Sequence, residues 1–270
     1  MANGLQLAWF TRLRRRVLGW FGSWWKIVLF GVVVMSLALS PSTYDRRTRS
    51  AIALQIVRAT TPNLWWFTVL SALISVVLIR IVVVTALSYG LSRFAIEMVV
   101  RVLVLELIPL TAAMFVAVRC TLPDSAEVEL LRAQGALQTL RGHGIDPVRQ
   151  EFMPRVLAGV FSVWMLGAVS CIMTLVVAYL TVYGFTTSAV AGYTRVVGQV
   201  FSPPVILILL LKIFFFSLAV SFIPMASAYY DGRPSTRRKR TNLAAGLNGM
   251  VRLFAVVLFV EVVSLMGNYY

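Results

Sequence analysis

Six charged side chains interrupt the long apolar stretches of this 270-residue sequence, and their chemistry needs an explanation. They are Arg80, Glu97, Arg101, Glu106, Lys212 and Glu261. An unpaired charge at the centre of a membrane-spanning helix costs about 2.5–3.5 kcal/mol on insertion scales, so such residues usually pair with one another or face a wet cavity. The pattern therefore predicts either internal ion pairs or the polar lining of a path through a membrane.

Spacing along the chain separates these six residues into groups. Glu97 precedes Arg101 by four positions, the orientation that favours an ion pair on one helix. A structural pair and a path lining explain this spacing equally well. Arg80 and Glu106 have no partner close in sequence, which favours a place in a polar path. Lys212 and Glu261 could either line such a path or snorkel to a membrane interface.

The composition indicates the class of protein that must position these charges. Hydrophobic residues make up 59% of the chain and charged residues 13%, whereas a soluble domain has about 25% charged residues. The apolar residues form blocks long enough to cross a ~30 Å hydrocarbon core as helices, and too long for barrel strands. The sequence predicts an all-α integral membrane protein with five spans, at 64–86, 94–118, 156–179, 205–228 and 244–267.

The N-terminal region, residues 1–50, differs from the transmembrane domain predicted at 51–270. Residues 5–25 mix arginines with tryptophan and phenylalanine, a composition typical of a helix that lies in the membrane interface. Residues 27–39 are apolar but too few to cross, which predicts a shallow or re-entrant elbow. A signal peptide is the alternative; the tryptophans and the missing Ala-x-Ala site disfavour it.

The distribution of Lys and Arg predicts the orientation. Nine precede the first span, five lie in the loop 119–155 and six lie at 233–252, whereas each of the other two loops has one. Basic loops stay on the cytoplasmic side, so we expect a cytoplasmic N-terminus and a periplasmic C-terminus. The same rule accounts for the net charge of +15, and no nucleic-acid partner is predicted.

The loop 119–155 is the longest polar interval between spans. Asp124 or Ser125 can cap a helix over 126–141, which the Gly-His-Gly sequence at 142–144 would end. Asp146 and Pro147 then open a second turn. Such a helix, held between the second and third spans, predicts a docking surface for a cytoplasmic protein. An amphipathic loop lying on the bilayer is the alternative.

Catalytic motifs are not evident in this sequence. It contains no phosphate loop, zinc-protease motif or nucleophile elbow, and its single histidine, His143, excludes a multi-histidine metal site. We therefore expect no enzyme activity, no metal and no cofactor in this chain, and any ATP hydrolysis must belong to another subunit. A lipid-modifying membrane enzyme is disfavoured because the sequence has no nucleophile or metal constellation.

Several motifs resemble the MlaE/YrbE permeases, the membrane subunits of ABC transporters that work with MCE proteins on lipids. The matching residues are Glu106-Leu107-x-Pro109, Ala126-Glu127 with Arg132, Leu137-x-x-Leu140, Ile145-Asp146-Pro147, Pro154-Arg155-x-Leu157-Ala158 and Lys212. The family's Arg-Glu-Leu-Gly-Pro has Leu105 and Ile108 here in place of its arginine and glycine. Its acidic coupling-helix positions are Gly135 and Gln138 here.

The resemblance implies a permease subunit of an ABC-type lipid transporter, with phospholipid as the substrate, in the bacterial inner membrane. It implies a cytoplasmic ATPase that binds ATP and Mg, a second permease copy (as homodimer or heterodimer) and a periplasmic MCE protein. The expected substrate path comprises Arg80, Glu97, Arg101, Glu106 and Lys212, with Glu106 paired to one of the two arginines. The expected ATPase contacts are Glu127, Arg132, Leu137, Leu140, Asp146 and Pro147. A non-transporting scaffold that recruits a cytoplasmic protein through the same loop is the alternative.

Overall fold

The computed structural model describes residues 22, 24–41, 44–90, 94–230 and 240–269. Within these ranges the chain consists of helices and turns, without strands. The α-helices are Trp24–Leu39, Arg46–Ser88, Ala95–Val99, Ile108–Val116, Leu122–Ala133, Ala136–Gly142, Met153–Tyr183, Val190–Val200, Pro203–Tyr230 and Arg240–Tyr269. The predicted all-α class is confirmed.

Five helical stretches of the described chain are long and apolar enough to cross a membrane, which confirms the predicted number. Spans 1 to 5 are Thr48–Ser88, Ala95–Ala133, Val148–Tyr183, Pro203–Tyr230 and Gly249–Gly267. The first three are much longer than predicted because their helices continue into polar sequence. The helix of span 1 begins at Arg46, where the Asp45 side chain accepts a hydrogen bond from the Arg46 N–H at 2.8 Å. Its 43 residues extend roughly 65 Å, about twice the hydrocarbon core.

The N-terminal helix, Trp24–Leu39, is the predicted short apolar segment. Ile27, Phe30 and Val34 are buried against the spans, and the Phe30 ring lies 5.7 Å from that of Phe152 between centroids. The opposite face of this helix is exposed and apolar. The basic, tryptophan-rich segment predicted to lie in the interface falls almost wholly outside the described residues.

Span 2 contains two π-helical segments, Val100–Leu107 and Ala117–Thr121, and a third, Val148–Phe152, opens span 3. The first of these ends immediately before the α-helical turn that carries Pro109. Proline has no N–H for the ladder, which favours a change of helical register at this point. π-Segments inside α-helices are frequently found at functional sites, and this one carries two of the six charged residues.

Spans 1 and 3 pack along most of their length. Two buried hydroxyl pairs join them: Thr60 with Ser162 at 2.8 Å, and Ser75 with Thr174 at 2.9 Å. We call these four residues the hydroxyl seam. Hydroxyl groups can satisfy one another within a bilayer without introducing a net charge. The seam therefore holds two spans together in an environment that offers no water.

The short helix Val190–Val200, between spans 3 and 4, is fixed by an aromatic cluster. The Tyr193 hydroxyl donates to the Leu175 carbonyl of span 3 at 2.8 Å, and its ring contacts those of Tyr179 and Tyr183. Burial raises the pKa of Tyr193 to about 12, and the Tyr183 phenol adds to the shift. The phenol therefore keeps its proton at neutral pH and remains a hydrogen-bond donor.

Candidate functional site

Lys212, in span 4, is 2% exposed and lies between carboxyl groups from two other spans. Its ammonium pairs with Glu106 of span 2, and its Nζ lies 2.9 Å from Oε2 of Glu261 in span 5. We call these three residues the charged cluster. All three are less than a tenth exposed, so the cluster is a polar site enclosed by helices.

The backbone of span 2 supplies a fourth group to this site. The Lys212 ammonium donates to the Leu105 carbonyl at 3.2 Å. Leu105 and Glu106 lie in the π-helical segment that ends just before the turn carrying Pro109. This segment therefore gives the lysine both a carboxylate and a backbone acceptor.

The structure corrects two expectations about the charged residues. Glu106 pairs with Lys212, so its expected pairing with Arg80 or Arg101 is wrong. Snorkelling of Lys212 and Glu261 is also wrong, because both side chains are buried against each other. Arg80 is exposed on span 1 and forms no ion pair with another described residue. Of the five expected path residues, the structure joins Glu106 to Lys212 and Glu97 to Arg101, and Arg80 contacts neither pair.

The ion pair predicted from spacing between Glu97 and Arg101 is confirmed, with 3.1 Å between Arg101 Nε and Glu97 Oε1. Both side chains are about 37% exposed, so this pair is separate from the buried cluster. Glu261 is the member of the cluster that the expected substrate path left out. The available signal was its isolation: a lone acid in one apolar stretch and a lone base in another suggest a pair between spans.

The loop between spans 2 and 3 is built differently from the prediction. Neither Asp124 nor Ser125 begins a helix, because the helix of span 2 continues without a break through Leu122–Ala133. It ends near Gly135, whose φ of 78° is a left-handed conformation that glycine adopts readily. A separate loop helix, Ala136–Gly142, comes next. The predicted stop at His143 is confirmed, since this residue caps the loop helix.

Arg132 links this loop to span 4. Its Nη1 donates to the carbonyls of Ala228 at 3.1 Å and Tyr229 at 2.5 Å, in the last turn of span 4. A cation at a helix C-terminus can donate to the last carbonyls and is favoured by the helix dipole. Arg132 is half-buried, and it attaches the loop to the same helix that carries Lys212.

Three other residues predicted to contact an ATPase also make internal contacts. Glu127 pairs with Arg155 of span 3, at 3.4 Å from Nη2 to Oε1. Asp146 caps the next turn by accepting from the Val148 N–H at 3.0 Å, and Pro147 is buried. These contacts hold the loop against the ends of the spans.

The remaining two predicted residues, Leu137 and Leu140, line an open groove of about 470 Å³, which we call the loop groove. The other lining residues are Leu131, Ala136, Thr139, His143 and Glu151. The groove combines an apolar floor with a few polar groups at its edge. Such a surface suits an apolar side chain of a protein partner.

The described residues form helices and turns with five candidate spans, and a charged cluster lies between three of them, which is the architecture of a multi-pass membrane protein. The sequence matches the family model for the permease MlaE over residues 52–266, and the chain belongs to that permease family. It is also similar to probable ABC transporter permease proteins of Rickettsia prowazekii (strain Madrid E) and Rickettsia conorii (strain ATCC VR-613 / Malish 7). Each is 28% identical over 168 residues, covering 60% of this chain and 64% of the relative. The chain thus spans just under two thirds of the length of these relatives.

Proposed function

We propose that this chain is the permease subunit of an ATP-driven transporter that moves phospholipid between the bacterial inner membrane and a periplasmic MCE protein. The observation that carries the proposal is the attachment of the loop to span 4 through Arg132. It gives a partner bound at the loop groove a mechanical connection to the helix that carries the charged cluster. Membership of the MlaE permease family supports the same function.

Force from an ATPase would enter at the loop groove. Leu137 and Leu140 offer apolar contacts there, and Arg132 is five residues before Leu137. A shift of the loop would pull on the last turn of span 4, and this helix, which contains Pro224, connects that turn to Lys212. Glu127 and Asp146 would keep the loop in the geometry that the ATPase recognises.

The substrate is a molecule with a charged head and apolar tails, so its path needs few polar contacts in an apolar wall. Arg80 and Arg101 suit an anionic phosphate because a guanidinium can bind two of its oxygens at once. Arg101 and Glu97 are partly exposed, and Arg80 is exposed on span 1. We place these three at the accessible part of the path, and Glu106 with Lys212 where the path meets the buried cluster.

The assembly in this proposal contains two permease copies, two ATPase subunits that bind ATP and Mg, and a periplasmic MCE protein. The basic loops and the N-terminus face the cytoplasm, and the C-terminus faces the periplasm. The second copy is either identical or a related chain. No bound metal and no nucleic acid are needed for this function.

A non-transporting scaffold is the second candidate, and the loop groove supports it, because recruitment of a cytoplasmic protein requires only such a surface. The two functions differ in the consequence of recruiting the partner. A scaffold would bind its partner without moving lipid, whereas a permease would use the recruited ATPase to drive transfer.

The test is to co-purify the chain with an ABC ATPase and an MCE protein of the same organism and to measure ATP-dependent lipid transfer. The parent complex should transfer lipid, and the L137D/L140D variant should lose both the ATPase and transfer. Gln134→Asp, an exposed change in the same loop, is the matched control and should keep both. Retention of the ATPase by L137D/L140D would contradict docking at the groove. A parent complex that binds the ATPase and transfers no lipid would favour the scaffold.

A further inference from the structure

A polar pocket of about 250 Å³ lies between spans 1 and 2, close to the loop that joins spans 2 and 3. We call it the interhelical pocket. Four of its lining residues are charged: Arg58 on span 1, with Arg119, Asp124 and Glu127 on span 2. It shares no lining residue with the charged cluster or with the loop groove, so its charges need an explanation of their own.

Two hydrogen bonds between spans 1 and 2 hold the walls of this pocket together. Gln55 Nε2 donates to Asp124 Oδ2 at 3.3 Å, and Asn63 Nδ2 contacts Cys120 Sγ at 3.1 Å. Asn63 and Cys120 are both buried, and Arg58 lies between Gln55 and Asn63 along span 1. The interhelical pocket is therefore a cleft with fixed walls, and a ligand that enters it does not first have to order the two helices.

The two arginines of the pocket, Arg58 and Arg119, are exposed. The ion pairs among the described residues use Arg101, Arg155 and Lys212 as their basic members, and neither of the two pocket arginines. A guanidinium can bind two oxygens of a phosphate at once through charge-assisted hydrogen bonds. Two guanidiniums at one pocket therefore suit a single phosphate group.

The two carboxyl groups of the pocket narrow the choice of ligand. Glu127 is paired with Arg155 at 3.4 Å. Asp124 is half-buried and accepts from the neutral Gln55 amide through Oδ2, and a carboxylate has a second oxygen that can accept from a further donor. A ligand that carried only negative charge would be repelled by Asp124. A ligand that carries an ammonium close to its phosphate would instead match the charges of both kinds.

Two exposed tryptophans indicate the level of the pocket relative to a membrane. Trp65 and Trp66 are 74% and 71% exposed, and tryptophans are enriched where the hydrocarbon core meets the headgroups. Asn63 precedes them by two residues, and its contact with Cys120 puts the adjacent Arg119 at about the same level. The interhelical pocket therefore lies at the depth of phospholipid headgroups.

We infer that the interhelical pocket binds the head of a zwitterionic phospholipid, with its phosphate on Arg58 and Arg119 and its primary ammonium on Asp124. Val118 is 53% exposed beside Arg119 and gives an acyl chain an apolar surface. The chemistry recognised is that of a phosphoethanolamine group, and the level of the tryptophans favours a membrane lipid over a soluble phosphate ester as its source. The inference does not depend on transport, because a scaffold could bind the same lipid.

Native mass spectrometry of the detergent-solubilised full-length chain, titrated with phosphatidylethanolamine, tests this site. Arg58→Gln and Arg119→Gln should each weaken binding of the first lipid by about tenfold, because each removes a charge-assisted hydrogen bond to the phosphate. Arg195→Gln is the matched control, since Arg195 is an exposed arginine on the distant helix Val190–Val200, and it should bind like the parent. Equal weakening by Arg195→Gln, or no weakening by either pocket variant, would overturn the inference.

A second titration, with phosphatidylglycerol, tests the ammonium contact, because this head has the phosphate without the amine. The parent should bind phosphatidylethanolamine more tightly, and Asp124→Asn should abolish this preference while its side-chain oxygen can still accept from Gln55. Equal or tighter binding of phosphatidylglycerol by the parent would contradict the zwitterionic assignment.

The source of the bound group is tested with soluble phosphoethanolamine as a competitor. It should displace the lipid only at concentrations far above those at which phosphatidylethanolamine binds, because it has no acyl chains to contact the apolar surface. Displacement at the same concentration as the lipid would show that the pocket takes a soluble phosphate ester, which would overturn the lipid assignment. Each variant should keep the melting midpoint of the lipid-free parent, so that weaker binding reports the pocket and not the fold.

Discussion

The charged cluster and the hydroxyl seam solve the same problem in two ways. Each joins spans through polar side chains that water does not reach. The hydroxyl seam uses neutral pairs, such as Thr60 with Ser162 at 2.8 Å. The charged cluster uses two carboxyls and one ammonium, with Lys212 2% exposed.

The two regions differ in how much stability is lost when one partner is removed. A hydrogen bond between helices in a membrane contributes about 0.6 kcal/mol on average and up to about 1.7 kcal/mol. Removing one member of a buried ion pair costs about 3–5 kcal/mol, although replacing the whole pair by apolar residues is often neutral. A charged cluster is therefore a poor device for stability alone. We interpret the hydroxyl seam as structural and the charged cluster as the part that transport uses.

Lys212→Met should have the largest effect on stability, about 3–5 kcal/mol. It leaves the carboxyls of Glu106 and Glu261 buried without their counter-charge. Denaturant titration of the detergent-solubilised chain measures the loss. The K212M/E106Q/E261Q triple variant removes all the charges and should recover most of the stability. If Lys212→Met unfolds at the parent's midpoint, the ammonium does not balance buried carboxylates in the charged cluster.

Arg132→Gln should have the next largest effect, because hydrogen bonds from a charged donor contribute about 1.5–3 kcal/mol. It removes the contacts with the Ala228 and Tyr229 carbonyls and separates the loop from span 4. In the proposed complex, ATP hydrolysis should continue while lipid transfer falls. Arg141→Gln is the control, since that side chain contacts the Tyr229 hydroxyl at the longer distance of 3.5 Å. If the Arg132 variant transfers lipid as fast as the parent, this contact does not transmit movement from the loop to span 4.

Gly159→Val tests the close packing of span 3 against spans 2 and 4. A Cβ at this position would lie 2.7 Å from Ser221 Oγ and 2.9 Å from Thr121 Cγ2. Overpacking of this kind costs about 1–3 kcal/mol. Gly167→Ala is the matched control in the same helix, because its Cβ would meet no described atom within 4 Å. The Gly167 variant should unfold at or slightly above the parent's midpoint; equal midpoints for both variants would contradict the packing argument.

The T60V/S75A double variant should have the smallest effect, about 1–2 kcal/mol in total, since each substitution removes one neutral pair. Chemical denaturation measures the loss, and lipid transfer should remain near that of the parent. A loss as large as that of Lys212→Met would remove the distinction between the hydroxyl seam and the charged cluster.

The sequence predicted the spans and the local pair, and it failed where partners come from different helices. Glu97 and Arg101 are four residues apart, so helix geometry alone brings them together. Glu106 and Lys212 are separated by more than a hundred positions, and only the packing of spans 2, 4 and 5 joins them. Arg132 was expected to contact the ATPase because of the family resemblance, and its contact with span 4 was not predicted. Its contact with the end of span 4 depends on the unbroken helix of span 2, which local capping signals at Asp124 and Ser125 concealed.

The most direct measurement compares lipid transfer by two variants in vesicles that hold the permease with its ATPase and MCE partner. One is the charge-free K212M/E106Q/E261Q variant, and the other is T60V/S75A. Both should assemble and hydrolyse ATP. We expect T60V/S75A to transfer lipid at close to the parent's rate and the charge-free variant to fall to the background rate. Transfer by the charge-free variant at the parent's rate would contradict the claim that transport uses the charged cluster.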